Sequence, residues 1–322
     1  MLIDAGFEGR LTDCAASAHR SDASQHFSGF WVNDTNNDHF LLATLAVTST
    51  QTVTVGTNIA VAFARSPYIL AQTAYNLAQL SEGRFVLGLG SQVKAHVEKR
   101  FSMEWPAKPV RALKEYVALL RHLFACFKEG RRPNFKGDYF RCTLNSPVFA
   151  PETNNLPAPK VGFSAVGPLA TRAAGEVAEA VFLHPFTHLE YLNSVTMPAL
   201  MEGKNFRDSS LGSLTVVGSC FCLNTDRPDY EERKREAVGS LAFYASTPNY
   251  REVVAALGHG ELHAELHTLS REGRWQEMGR LMPADLIDAC LVEGSTSTIL
   301  DTLHRRFSGL YDRVVIDPGM LR

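Results

Sequence analysis

The strongest constraint on how this chain can fold is a repeated change of period. Short β-branched or apolar runs, fit for strands, alternate with segments whose apolar residues recur every three or four positions, fit for helices. The clearest instance spans residues 52–90. Thr52–Phe63 is a long β-branched run. Ser66-Pro67 then offers an N-cap and a proline at the first helical position. Ile69, Leu70, Thr73, Leu77 and Leu80 form one helical stripe, which Gly83 ends. Arg84–Gly90 is nearly all apolar, as in strands buried on both faces of a parallel sheet.

The same alternation predicts strands at Leu2–Phe7, Gly29–Asn33, Lys160–Ala165, Ala178–Leu183, Leu214–Leu223 and Arg313–Ile316. Helices are predicted at Leu11–Gln25, Phe40–Ser49, Lys108–Lys128, Pro168–Glu176, His188–Glu202, Pro228–Ala245 and Ser295–Phe307. With the two strands above, that makes eight strand–helix units. An α/β fold closed into a (β/α)8 TIM barrel is favoured over an open doubly wound sheet, as a single domain over residues 1–322. Two stretches break the rhythm, Arg131–Pro159 and Ser246–Met282. They are expected as rim insertions, forming the roof of the pocket together with Asn36–Phe40.

Lys+Arg 32 against Asp+Glu 34 leaves a net charge of -2 over 322 residues. Nothing in that balance draws the chain to nucleic acid or an anionic membrane. No apolar run reaches the roughly 18 residues of a membrane span. Asp4 interrupts the first apolar stretch and no basic segment precedes it, which argues against a signal peptide and for a cytoplasmic protein. Six scattered cysteines form no Cys-x-x-Cys pair and are expected as reduced thiols. Cys220 and Cys222 fall two apart in a strand-like run, on one face, where a disulfide between them is disfavoured.

In a barrel of this kind the active site lies at the C-terminal strand ends. The candidate ends are residues 33–39, 58–65, 88–92, 164–167 and 184–186. Gly88, Gly90 and Ser91, like Ala165 and Gly167, are small enough to let a ligand approach the backbone. Gly167 also precedes the helix opened by Pro168, whose N–H groups suit an anion. Gly88-x-Gly90 lacks the third glycine and the following acid of a dinucleotide fingerprint. A P-loop and a Gly-x-Ser-x-Gly elbow are missing too. His259, His263 and His267 recur every four residues, and a solvated helix face is expected there rather than a metal site.

These residues resemble a known family. Residues 57–91, from Thr57-Asn-Ile-Ala-Val-Ala-Phe to Phe85-Val-Leu-Gly-Leu-Gly-Ser91, are similar to the third strand, third helix and fourth strand of the luciferase-like monooxygenases. Phe163-Ser-Ala-Val-Gly-Pro168 and Ala174-Gly-Glu-Val-Ala-Glu-Ala180 resemble the family's fifth strand, fifth helix and sixth strand. Val181–Phe186 and Ala242–Tyr250 are similar to the subgroup that depends on coenzyme F420, a 5-deazaflavin.

The resemblance implies a bacterial-luciferase-like barrel with its cofactor at the C-terminal mouth. The activity implied is hydride transfer between F420 and a small organic substrate. An FMN-dependent monooxygenase, or a non-catalytic flavin-binding barrel, is the alternative. A cis peptide at Asn58–Ile59 is implied behind the cofactor ring. Gly90, Ser91 and Gln92 map near its pyrimidine or ribityl side, and Ser164, Ala165, Val166 and Gly167 map to its phosphate. Several F420-dependent members end the second strand with Asp-His. Here the pair is Asp34-Thr35, so Asp34 inherits the polar role and His39 comes later. His184, at the sixth strand end, is the second catalytic candidate, with a pKa near neutrality suited to moving a proton. The expected partners are a small-molecule substrate and a second copy of the chain, without metal, nucleic acid or membrane.

Overall fold

The computed structural model describes residues 1–321. Eight parallel strands close into a ring: β1 (Leu2–Phe7), β2 (Gly29–Val32), β3 (Thr54–Thr57), β4 (Phe85–Gly90), β5 (Lys160–Ala165), β6 (Ala180–Leu183), β7 (Thr215–Ser219) and β8 (Arg313–Ile316). Pairing of β8 with β1, from Leu2 opposite Arg313 to Ala5 opposite Ile316, completes the circle. Helices lie outside, and the largest core cluster contains side chains from both the strands and these helices.

Inside the ring, alternate residues point to the axis. Trp31, Ala180, Phe182, Val217 and Val315 form a buried plug with Ile59 and Val86. Trp31 meets Phe182 edge-on, ring centroids 5.2 Å apart. Beneath the plug, at the N-terminal end of the strands, lies a buried ion pair. Arg313 Nε and Nη2 donate to the two oxygens of Asp4 at 2.6 and 2.8 Å, and Trp31 Nε1 donates to Asp4 Oδ2 at 2.8 Å.

Two expected strands are divided. The 52–63 run pairs through Thr54–Thr57, is interrupted at Asn58–Ile59, and rejoins β4 through Ala60–Val61. The peptide between Asn58 and Ile59 is cis, as the resemblance implies. The 214–223 run serves two sheets. Thr215–Ser219 belongs to the barrel, whereas Phe221–Asn224 leaves it to pair in parallel with Leu291–Gly294. That last strand escapes the sequence pattern because it is four residues long and directly follows a helix.

Residues 221–294 form a cap over the mouth. The 246–282 stretch is mostly helical, with Arg251–Ala255, Leu262–Arg271 and Trp275–Arg280 packed around Leu241, Leu266, Met278 and Leu286. The histidine series is not a solvated face. His263 is buried, and Nδ1 of His263 and His267 lie 2.7 and 3.0 Å from the carbonyls of Ala245 and Ser246. They satisfy carbonyls that the helix Tyr230–Ala245 leaves unpaired at its C-terminus. The 131–159 insertion carries a hairpin of Phe135–Lys136 and Arg141–Cys142. It runs down the flank rather than over the mouth: Glu115 accepts from the amides of Asp138, Tyr139 and Phe140, and Gln79 donates to the Glu152 carbonyl. The physical reason is its position, between a helix C-terminus and the N-terminal end of β5.

Removing one partner of the Asp4–Arg313 pair leaves a buried charge. Asp4→Ala is expected to lower unfolding free energy by about 3–5 kcal/mol in urea denaturation. An Asp4→Leu/Arg313→Met double variant should recover much of that loss, since neither charge then remains in the interior.

Candidate active site

The mouth is built from the residues just beyond the plug. Asn58 Nδ2 donates to Ser219 Oγ at 3.2 Å, spanning β3 to β7. On the next strand, Gly90 packs so closely on Ile59 that a Cβ there would lie 2.7 Å from Ile59 Cδ1 and 3.4 Å from Ser164 Cβ. A side chain at position 90 would fill the surface that Ile59, Gly90 and Ser164 share. Ser91 and Gln92 turn back on themselves: Ser91 Oγ donates to the Gln92 carbonyl, and Gln92 Oε1 accepts from the Val93 amide. Gln92 holds a left-handed φ of 60°.

At the end of β5, Gly167 has φ 155°, and nothing lies within 4 Å of the place its Cβ would take. It opens the helix Pro168–Val177, which receives no side-chain cap among the described residues. The helix N-terminus therefore offers N–H groups and a partial positive charge to an anion. Ala165 and Val166 share a small cleft with His184, Phe186 and Tyr191, of about 20 Å³, enough for one water.

His184 is the most informative residue. The Phe186 amide donates to its Nδ1 at 3.1 Å, so that nitrogen is unprotonated and the proton sits on Nε2. Nε2 makes no hydrogen bond among the described residues. Tyr244 and Tyr250 of the cap enclose the ring, centroids 4.4 and 4.8 Å away. Burial pushes the imidazole pKa down to about 3. A pKa near neutrality, expected from the sequence, is thereby corrected: His184 is a neutral N–H donor at physiological pH.

Asp34 stands across the mouth in the opposite condition. Burial pushes its pKa up, but the His39 ring, the Arg65 guanidinium and the Val61 amide outweigh this and hold it at about 2. Its Oδ2 accepts from Arg65 Nη1 at 3.0 Å and from the Val61 amide at 3.2 Å. Oδ1 has no partner among the described residues and is reachable by solvent. His39, the first residue of the helix His39–Thr48, is fully buried, with Nδ1 3.3 Å from Asp34 Oδ2. Although four residues later than the Asp-His spacing, it reaches Asp34. Asp38 caps that helix by accepting from the amides of Phe40 and Leu41, which turns His39 inward.

The structure thus brings Ala165 and Val166 to His184, and Gly90 to Ile59 and Ser164. Asp34 belongs to a separate cluster with His39 and Arg65. Beside it, Phe7, Glu8, Asn33, Thr35, Asn36 and Asn37 line a cavity of about 260 Å³. Sequence reasoning gave no role to Ser219, nor to Arg65, Tyr244 and Tyr250 within the 58–65 and 242–250 stretches it singled out. Ser219 was findable, since it sits two residues past the inward-facing Val217; the tyrosines depend on how the cap folds back.

A luciferase-like monooxygenase family model matches residues 23–313. The chain belongs to that family. The uncharacterized protein Rv1360 of Mycobacterium tuberculosis is 38% identical over 311 residues, 95% of this chain and 89% of its own. Among solved structures, the coenzyme F420-dependent tetrahydromethanopterin reductase of Methanopyrus kandleri superposes with a TM-score of 0.76 at 19% identity, over 99% of this chain and 94% of its own. An F420-dependent secondary alcohol dehydrogenase, in complex with an F420-acetone adduct, gives 0.72 at 22% identity, over 98% and 93%. These two family-fold neighbours share the closed barrel described above.

The depressed His184 pKa has a consequence for stability. The unfolded chain takes up a proton below about pH 6.5, where the folded imidazole does not. Stability should therefore fall as pH drops from 6.5 toward 3. In thermal melts between pH 7 and pH 5, His184→Phe is expected to show a shallower loss of Tm than the parent chain. Parallel slopes would show that His184 is not buried neutral.

Proposed function

We propose that this protein is an oxidoreductase that moves hydride between coenzyme F420 and a small organic substrate at the barrel mouth. Its membership of the luciferase-like family and the F420 dependence of the two neighbours named above support the reading. The observation that carries it is the orientation of His184, whose Nδ1 accepts from the Phe186 amide and leaves Nε2–H without a protein partner, in the cleft it shares with Ala165 and Val166.

The residues fit such a group. Gly90 adds no side chain between Ile59 and Ser164, so these three residues, above the Trp31–Phe182 plug, are the ones that would hold the ring. Asn58, Ser91 and Gln92 surround its polar edge in this reading. Ser164, Ala165, Val166 and Gly167 take the phosphate at the helix N-terminus. F420 supplies the carbon that gives or accepts hydride.

The chain supplies orientation and electrostatics. His184 donates Nε2–H to the substrate oxygen and so stabilises negative charge developing there. Asp34, held ionised, accepts through Oδ1 and helps fix the orientation of the bound molecules. A residue locked as a carboxylate and another locked neutral set opposite polarity on the two sides of the mouth. Exposed Ile69, Val148 and Phe149 on the flank are proposed to meet a second copy of the chain.

Purified protein mixed with F420 and a panel of small secondary alcohols should bleach the cofactor band at about 420 nm. His184→Phe is expected to lower kcat by about 10²–10³-fold, with F420 affinity nearly unchanged. Parent-rate turnover in that variant would remove His184 from the chemistry, and turnover only with FMN and oxygen would favour the monooxygenase alternative.

A further inference from the structure

Cys220 and Cys222 flank the point where the chain leaves the barrel for the cap. Cys220 follows Ser219, the last residue of β7 and the partner of Asn58 across the mouth. Cys222 lies in the strand Phe221–Asn224, opposite Val292. In a straight strand, side chains two residues apart would stand about 6.5 Å from one another. Here the chain bends out of the barrel at Cys220, and the two Sγ atoms approach to 3.2 Å. A bridge is disfavoured on one continuous strand, but the strand is divided at Cys220. Both thiols are half-buried, whereas Cys14, Cys126 and Cys290 are buried.

We propose that Cys220 and Cys222 are a redox modification site, closing into a reversible disulfide when the protein meets a small-molecule disulfide, and that this bridge stiffens the hinge between barrel and cap. The exchange balances in two steps. The Cys220 thiolate attacks one sulfur of the small disulfide, forming a mixed disulfide and expelling one thiolate. Cys222, losing its proton, then attacks Sγ of Cys220 and expels the second thiolate. Two protein thiols are oxidised, one small disulfide is reduced, and the two protons leave on the two small thiols.

Hydrogen bonding with Cys220, followed by burial, pushes the Cys222 thiol well up, so Cys222 is assigned the second, resolving step. A bridge spanning one intervening residue closes a small ring, and strained disulfides of that kind are the easily reduced, labile ones. Its effect reaches the site through the cap, because the segment after Cys222 carries Tyr244 and Tyr250 onto His184.

The test is to incubate the protein with excess oxidised glutathione, quench with acid, and analyse it by mass spectrometry and hydrogen exchange. The expected product has lost the mass of two hydrogen atoms, keeps four of its six thiols, and yields a peptide bridged between positions 220 and 222. Amides of Phe221, Cys222 and Leu223 should exchange more slowly in this form and recover on reduction. Cys142→Ser, which removes the other half-buried thiol, should behave like the parent. Cys220→Ser should give no bridge. Stable glutathione adducts on Cys220 or Cys222, or six unmodified thiols, would overturn the site. A bridge that leaves the exchange of these amides unchanged would overturn its role at the hinge.

Discussion

The two ends of the chain meet in neighbouring strands, and everything at the mouth depends on that closure. β1 pairs with β8 over four residues, and the Asp4–Arg313 pair locks the seam beneath the hydrophobic plug. Trp31 joins the pair through its indole N–H while its ring meets Phe182, so one side chain couples the ionic base to the apolar floor. The plug then decides what can sit above it. Large side chains lie below, while Gly90 and Gly167 at the rim add none, and the place a Gly167 Cβ would take has no neighbour within 4 Å.

The second determinant is electrostatic. At neutral pH, neither polar side chain assigned to the chemistry titrates. Asp34 is held ionised by Arg65, His39 and a backbone amide, and His184 is held neutral by burial. For the proposed site this means a fixed pattern of one acceptor and one donor rather than a proton relay. Such a pattern suits a reaction in which the cofactor carries the hydride and the protein stabilises charge on oxygen.

The barrel was legible because period and punctuation agree at each unit: Ser66-Pro67 starts a helix, Gly83 stops it, and Phe85–Gly90 is apolar throughout. Strand-end logic also singled out Asn58, Gly90, Ser164 and His184, and the structure places all four at or near the C-terminal ends of barrel strands. Departures arose where tertiary pairing overrode local pattern. The 214–223 run reads as one strand, yet Phe221–Asn224 finds its partner some 70 residues later, in Leu291–Gly294. The same blindness hid Tyr244 and Tyr250, which reach His184 only once the cap has folded. The spacing of Asp34 and His39 concealed their contact, because the turn between them is set by the Asp38 cap. A pKa cannot be read from a strand end at all: His184 is neutral because of the rings that cover it.

Calorimetric titration of the purified chain with F420 and, separately, with FMN tests the proposed deazaflavin site. One F420 site per chain is expected, with a Kd at or below about 1 μM, near −8 kcal/mol, and FMN binding at least roughly tenfold weaker, a difference of about 1.4 kcal/mol. Tighter binding of FMN, or no heat from either cofactor, would contradict it.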